Sequence, residues 1–169
     1  MDMLAKAANQ SDSFTVERRS DVELVVARVF DAPARIVYAA FTKPEHMKRW
    51  WAPKAFGAIM YDCEIDLRVG GKYRYVFGKA GEPKMAFTGE FTEVVPNAKI
   101  VATQLFEQMP QAGIATITTT FVETNGATRL ELVQHFPSKQ ALDGAIATGM
   151  TEGMKHTFGQ LAELCAELR

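Results

Sequence analysis

Along most of the chain hydrophobic and polar positions alternate with a period of two, giving way to a helical period in two places. Val22–Phe30 (VELVVARVF) is rich in β-branched residues and predicts a first strand. Pro33 opens a short helix over Pro33–Phe41, because proline fits a first helical position. Thr42-Lys43-Pro44-Glu45 has the spacing of a capping box, with Thr42 as the cap of a second short helix. That helix should end near Trp51, since Ala52 precedes Pro53 and is pushed out of the helical region.

A run of strands follows. From Ile59 to Leu67 the odd positions are Ile59, Tyr61, Cys63, Ile65 and Leu67, while Met60, Asp62, Glu64 and Asp66 take the other face. Val69-Gly70-Gly71 turns the chain into Tyr73, Tyr75 and Phe77. A two-residue turn would set these aromatics on the face of Glu64 and Asp66. A three-residue loop with a left-handed glycine matches them to Cys63, Ile65 and Leu67, and is the favoured reading. Lys84–Val95 and Lys99–Phe106 form the next pair, turned at Pro96-Asn97. Ile114–Thr124 and Ala127–Phe136 flank Asn125-Gly126, the strongest short hairpin signal, which sets Phe121 opposite Leu130, Thr119 opposite Leu132 and Ile117 opposite Gln134.

Beyond Pro137, Ser138 can cap a helical stretch reaching the C-terminus, with a break near Thr148-Gly149. Met150, Met154, Thr157, Phe158, Leu161, Leu164, Cys165 and Leu168 share one side of it. Such a stripe needs an apolar partner, and the inner face of the sheet supplies one. One strand, two short helices, six strands in hairpins and a long last helix make an α+β chain. Residues 1–14 are expected to form a flexible N-terminal tail and residues 15–169 a single domain.

Composition narrows the function classes. Nineteen Lys and Arg against 20 Asp and Glu leave a net charge of −1, which gives no electrostatic reason to bind nucleic acid or an anionic membrane. No apolar run approaches the ~20 residues of a membrane helix, and the N-terminus does not read as a signal peptide, so a cytoplasmic location is expected. Cys63 and Cys165 are far apart with no CxxC, and His46, His135 and His156 are scattered, so no metal and no cofactor is expected.

The stretches DAPARIVYAAFTKPEHMKRWW, CEIDLRVGGKYRYVF and GMTEGMKHTFGQLAEL resemble the START-related SRPBCC superfamily, and within it the branch homologous to the activator of the heat-shock-protein-90 ATPase. The likeness runs from about Val22 to Leu168. It implies the helix-grip fold, a seven-stranded antiparallel sheet wrapped around the long C-terminal helix with a cavity between them. It further implies binding of an apolar or amphipathic small molecule. Related helix-grip proteins include polyketide cyclases and aromatases, and the branch name implies a chaperone-linked interaction in a stress response.

Residue by residue, a packed core explains much of what could be a ligand site. Of Trp50 and Trp51, one would anchor its helix and the other cover the cavity rim, unless one is a stacking wall. Phe56 could belong to a lid. Tyr73, Tyr75, Phe77, Phe91 and Ile117 are expected on the inner sheet face, with Met150, Met154 and Phe158 of the helix facing them. Gln104, Thr119 and Gln134 carry more information: a buried amide without a partner costs roughly 1–3 kcal/mol, so in an apolar interior such groups bond each other, water or a ligand. Asp62, Glu64 and Asp66 fall on the solvent face, which points away from catalysis; the residues suspected for an enzyme are Glu64, Asp66 and Tyr75. The reading is a non-catalytic binding module for a ligand of about 20 heavy atoms, held at tens of micromolar at roughly 0.3 kcal/mol per atom. Exposed sheet edges leave a homodimer open.

Overall fold

The computed structural model describes residues 13–169. Strands β1 (Thr15–Arg18) and β2 (Glu23–Phe30) lead into helices α1 (Ala34–Thr42) and α2 (Pro44–Trp50). A single 3-10 turn (Lys54–Phe56) precedes β3 (Ala58–Ile65), β4 (Lys72–Lys79), β5 (Met85–Val95), β6 (Lys99–Phe106), β7 (Ala115–Thr124) and β8 (Ala127–His135). Helices α3 (Lys139–Ala147) and α4 (Met150–Leu168) complete the chain. All neighbouring strands are antiparallel, in the order β1-β2-β8-β7-β6-β5-β4-β3. The single sheet thus has eight strands, one more than expected.

The added strand is β1. Its four residues are all exposed, and the pairing Val16↔Val26 sets its one apolar side chain at the margin of the sheet. With no apolar face of its own it leaves no period-two signal, as befits a short, charged edge. Of the expected tail, residues 1–12 lie outside the described residues. Ser13 and Phe14 are attached: Ser13 Oγ accepts from the Val29 N–H and Phe14 meets the Phe158 ring edge-on.

Proline sets the joint between α1 and α2. It drives Lys43 into extended backbone (φ −96°, ψ 124°), so Lys43 caps α2 and no capping box forms. Thr42 instead closes α1, its hydroxyl donating to the Tyr38 carbonyl at 2.9 Å. The start of α1 has no side-chain cap from Pro33; there Glu123 of β7 accepts the Ala34 N–H at 2.7 Å, a carboxylate at the positive end of a helix.

The hairpins follow the apolar pairing. Ile65↔Tyr73 and Cys63↔Tyr75 keep the expected face, with Gly70 at φ 85°. The register is shifted by two from the Leu67–Tyr73 and Ile65–Tyr75 pairs of a three-residue loop, so the turn is longer than expected. One expectation for β3 fails. The register slips between Met60 and Asp62, leaving Tyr61 as an extra residue, so Met60 is buried and Ile59 is 45% exposed. In the last hairpin Phe121↔Leu130, Thr119↔Leu132 and Ile117↔Gln134 pair as read, around Asn125 (φ 53°) and Gly126 (φ 80°).

Ser138 caps α3 by accepting from the Ala141 N–H, and the chain breaks at Gly149 (φ 85°) before α4. Buried Thr157, Phe158, Leu161, Leu164 and Cys165 form the inward stripe of α4. Phe158 meets Phe30 of β2 and Trp50 of α2, with ring centres 6.0 and 6.3 Å apart. The helix is therefore gripped at the β2 side of the sheet and against the α1–α2 pair. Along the rest of the inner face, from β3 to β8, a cavity remains.

Candidate functional site

A cavity of about 90 Å³ opens between the inner face of the sheet and the α1–α2 pair. Its wall draws on Phe41 and Thr42 of α1, Met47 of α2, Trp51 just beyond it, and inward positions of β3 to β8 including Tyr73, Tyr75, Phe91, Gln104, Ile117 and Thr119. The inward positions meet because the register sets them in rows: Ala102↔Ile117 beside Ile117↔Gln134, and Phe91↔Ala102 one strand over.

The two adjacent tryptophans divide the work. Trp50 is 2% exposed, and its indole N–H donates to the Ala40 carbonyl at 2.8 Å, pinning α2 to α1. Trp51 is half-buried and meets Tyr75, Phe77 and Phe87 at 5.4, 5.1 and 6.0 Å. It covers one side of the cavity with an aromatic face that reaches solvent. From there rings continue along the sheet: Phe77 stacks on Phe87, and Phe87 meets Phe106.

Tyr73 crosses Gly89 on the neighbouring strand and donates its hydroxyl to the Thr103 carbonyl. Burial pushes its phenol up. Tyr75, 4.7 Å from Tyr73 ring to ring, is pushed well above the ordinary tyrosine value, first by burial and then by Tyr73 and Cys63. Among the described residues no hydrogen bond is made by the Tyr75 hydroxyl, the Gln104 amide or the Thr119 hydroxyl. No residue of the wall carries a charge at neutral pH. The site therefore offers an apolar, aromatic surface with three neutral hydrogen-bonding groups, and no counter-ion.

The remaining chemistry lies elsewhere. Asp62, Glu64 and Asp66 are exposed on the outer face, and Asp66 pairs with exposed Arg68 at 3.0 Å. Burial raises the thiol of Cys63 to about 12, and that of Cys165 to about 12, so neither is a thiolate near neutral pH. Among the described residues no three His, Cys, Asp or Glu side chains gather into a metal site. Nor is any helix among them long and apolar enough to cross a membrane.

Comparison with known proteins places this arrangement. The family described as "Activator of Hsp90 ATPase homolog 1-like protein" matches residues 31–166. The chain belongs to that family. Within the AHSA1-like family, the human activator of 90 kDa heat shock protein ATPase homolog 1 is 35% identical over 130 residues, 73% of this chain and 36% of that protein. The chain thus spans about a third of the length of the curated relatives it matches. A Rhodobacter sphaeroides crystal structure shares the fold at a TM-score of 0.84 and 21% identity, covering 91% of this chain and 99% of that one. A Chromobacterium violaceum crystal structure is 29% identical at a TM-score of 0.74, covering 86% of this chain and 98% of that one.

In this AHSA1-like chain the expected site residues separate into two groups. Trp51, Tyr73, Tyr75, Phe91, Gln104, Ile117 and Thr119 stand on the cavity wall. Trp50, Phe56, Phe77, Gln134, Met150, Met154 and Phe158 do not, and no residue of α4 does. This cavity lies beside the α1–α2 pair, while Phe158 and Leu161 of α4 are buried in the core. Gln134 is 6% exposed, and its Oε1 has no partner among the described residues. Phe56 is 39% exposed and rests against α4, 5.2 Å from the His156 ring. Phe41, Thr42 and Met47 were missed. Their helical stripe reads as ordinary core, and only the position of the empty space distinguishes them.

Proposed function

We propose that this AHSA1-like protein binds a compact, uncharged, largely apolar small molecule in the cavity beneath α1 and α2. The observation that carries the reading is the set of three neutral groups, Tyr75, Gln104 and Thr119, that have no side-chain hydrogen bond among the described residues and stand on a largely apolar wall. Few polar groups on an apolar surface orient a ligand without binding it by charge. The volume limits its size. About 90 Å³ is well below the roughly 300–1,000 Å³ of pockets for drug-sized ligands, so a ligand of about 20 heavy atoms does not fit inside. The enclosed part is nearer a single ring, with any extension lying along Trp51 and the Phe77–Phe87 stack.

Differential scanning fluorimetry and native mass spectrometry with matched probes test this. Phenol, indole and benzyl alcohol should raise the melting temperature, by roughly 5 °C or more near saturation, since binding at 100 times Kd adds about 2.7 kcal/mol. Benzoate, benzylamine and palmitate should not. Trp51→Ala should remove the response while the protein stays folded. No shift with any neutral probe, or an equal shift with benzoate, overturns the proposal.

A second reading, association with a heat-shock ATPase, is favoured by the identity to the human activator over 130 residues. Its test is ATP turnover by that ATPase with and without this chain; an unchanged rate counts against it. A cyclase-like reaction would have to use Tyr75, because Glu64 and Asp66 face solvent. A phenol held protonated by burial can donate a hydrogen bond but is a poor base.

A further inference from the structure

We propose that Gln160 is the positioning residue that holds Trp51 over the cavity, so that α4 governs closure of a site it does not line. The side-chain amide of Gln160 reaches from α4 to the segment on both sides of Trp51. Its Nε2 donates to the Trp50 carbonyl and to the Ala52 carbonyl, each at 2.9 Å, and its Oε1 accepts the Lys54 N–H at 2.9 Å. These are groups the local backbone leaves short of partners. Trp50 ends α2, where carbonyls lack intrahelical donors, and Pro53 has no N–H to offer.

Two donors and one acceptor in a single plane are what a primary amide supplies, and neither a carboxylate nor an ammonium supplies both. Other ties between this segment and α4 are slight. Phe56, itself 39% exposed, rests where Gly153 has no side chain, 3.7 Å from the position a Cβ would take. Beyond the turn, Gly57 sits at φ 73° and Lys54 to Gly57 are exposed. On the sheet side the segment is held by Trp51 against Tyr75, Phe77 and Phe87. With the amide in place the indole lies on the cavity; without it the segment keeps the Trp51 N–H bond to the Met47 carbonyl, the internal bonds of the turn and the ring contacts, but no hydrogen bond to α4.

The inference rests on the ligand reading for what closure serves, but its test needs no ligand. Acrylamide quenching of tryptophan fluorescence reports Trp51, because Trp50 is shielded at 2% exposure. Gln160→Leu should raise the quenching constant by about twofold or more, since a lost amide clamp favours the open turn by roughly tenfold. Gln160→Glu supplies a readout that plain packing would not move. Its protonated carboxyl can still donate to one carbonyl, whereas its ionised form faces two carbonyls with no donor. Quenching in this variant should stay near wild type in acid and rise as the pH passes above the ordinary glutamate value of ~4.3.

His156, Glu163 and Lys54 also lie near position 160, so wild type and Gln160→Leu are profiled over the same range, and both should be flat there. Should Gln160→Leu fail to fold, Gln160→Glu carries the test by comparison of its own two protonation states. Wild-type quenching in both variants, or a flat profile for Gln160→Glu, overturns the proposal. If quenching rises as expected while no probe binds wild type, the ligand reading fails and the positioning role stands.

Discussion

Gly89→Ala is expected to destabilise the protein by about 4 kcal/mol, a loss of about 10 °C in melting temperature, whereas Gly144→Ala should stabilise it by about 0.5–1 kcal/mol. A methyl group at Gly89 would overlap the Thr103 carbonyl oxygen and stand 2.6 Å from the Tyr73 ring. The first obstacle is backbone and cannot rotate away. Thr103 is held on both sides, its carbonyl by the Tyr73 hydroxyl and its own hydroxyl by the Glu90 N–H at 3.0 Å. Relief therefore requires parting β5 from β6 and displacing a wall residue of the cavity. Gly144, within α3, has nothing within 4 Å of the same position and gains only helix propensity. Chemical denaturation of the two variants measures the difference. Equal, small effects would show that the sheet tolerates a side chain at Gly89.

Phe158→Ala should cost about 4 kcal/mol, in the range of a fully buried phenylalanine truncated in a core. Its ring, 2% exposed, is shared by Phe14, Phe30 and Trp50, which come from β2, α2 and the segment before β1. No single neighbour can collapse into the space. The same experiment separates core from site. Because Phe158 is absent from the cavity wall, a folded Phe158→Leu variant should keep the response to neutral probes that Trp51→Ala loses. Loss of the response in Phe158→Leu at unchanged fold would place the ligand against α4 instead.

That contrast marks the limit of what sequence pattern could convey. Parity was legible because one face of the sheet is buried: Ile65 with Tyr73, Phe121 with Leu130 and Thr119 with Leu132 each match apolar or inward positions, and a slip by one would expose them all. Proline and glycine fixed breaks at Lys43 and Gly149 by backbone sterics alone. Tyr61 was not legible as an extra residue, since a bulge is defined by the partner strand and not by the alternation of its own. β1 escaped because it buries nothing. The site was only half legible for a different reason. Amphipathicity assigns Met154 and Phe158 to the inside as firmly as Met47 and Phe41, and says nothing about which interior positions are packed solid. Trp50 and Trp51, adjacent in sequence, part because successive residues of a helix end point about 100° apart. One falls into the core and the other over the cavity.

The neutral hydrogen-bonding groups of the cavity are proposed to receive a small uncharged ligand. The most direct measurement is a titration of the labelled protein with phenol, followed by NMR at the side-chain amide of Gln104. The expected result is a saturable shift of that amide, abolished when Ala102→Phe fills the wall between Phe91 and Ile117. An amide that does not respond, or that responds equally in the filled variant, would contradict it.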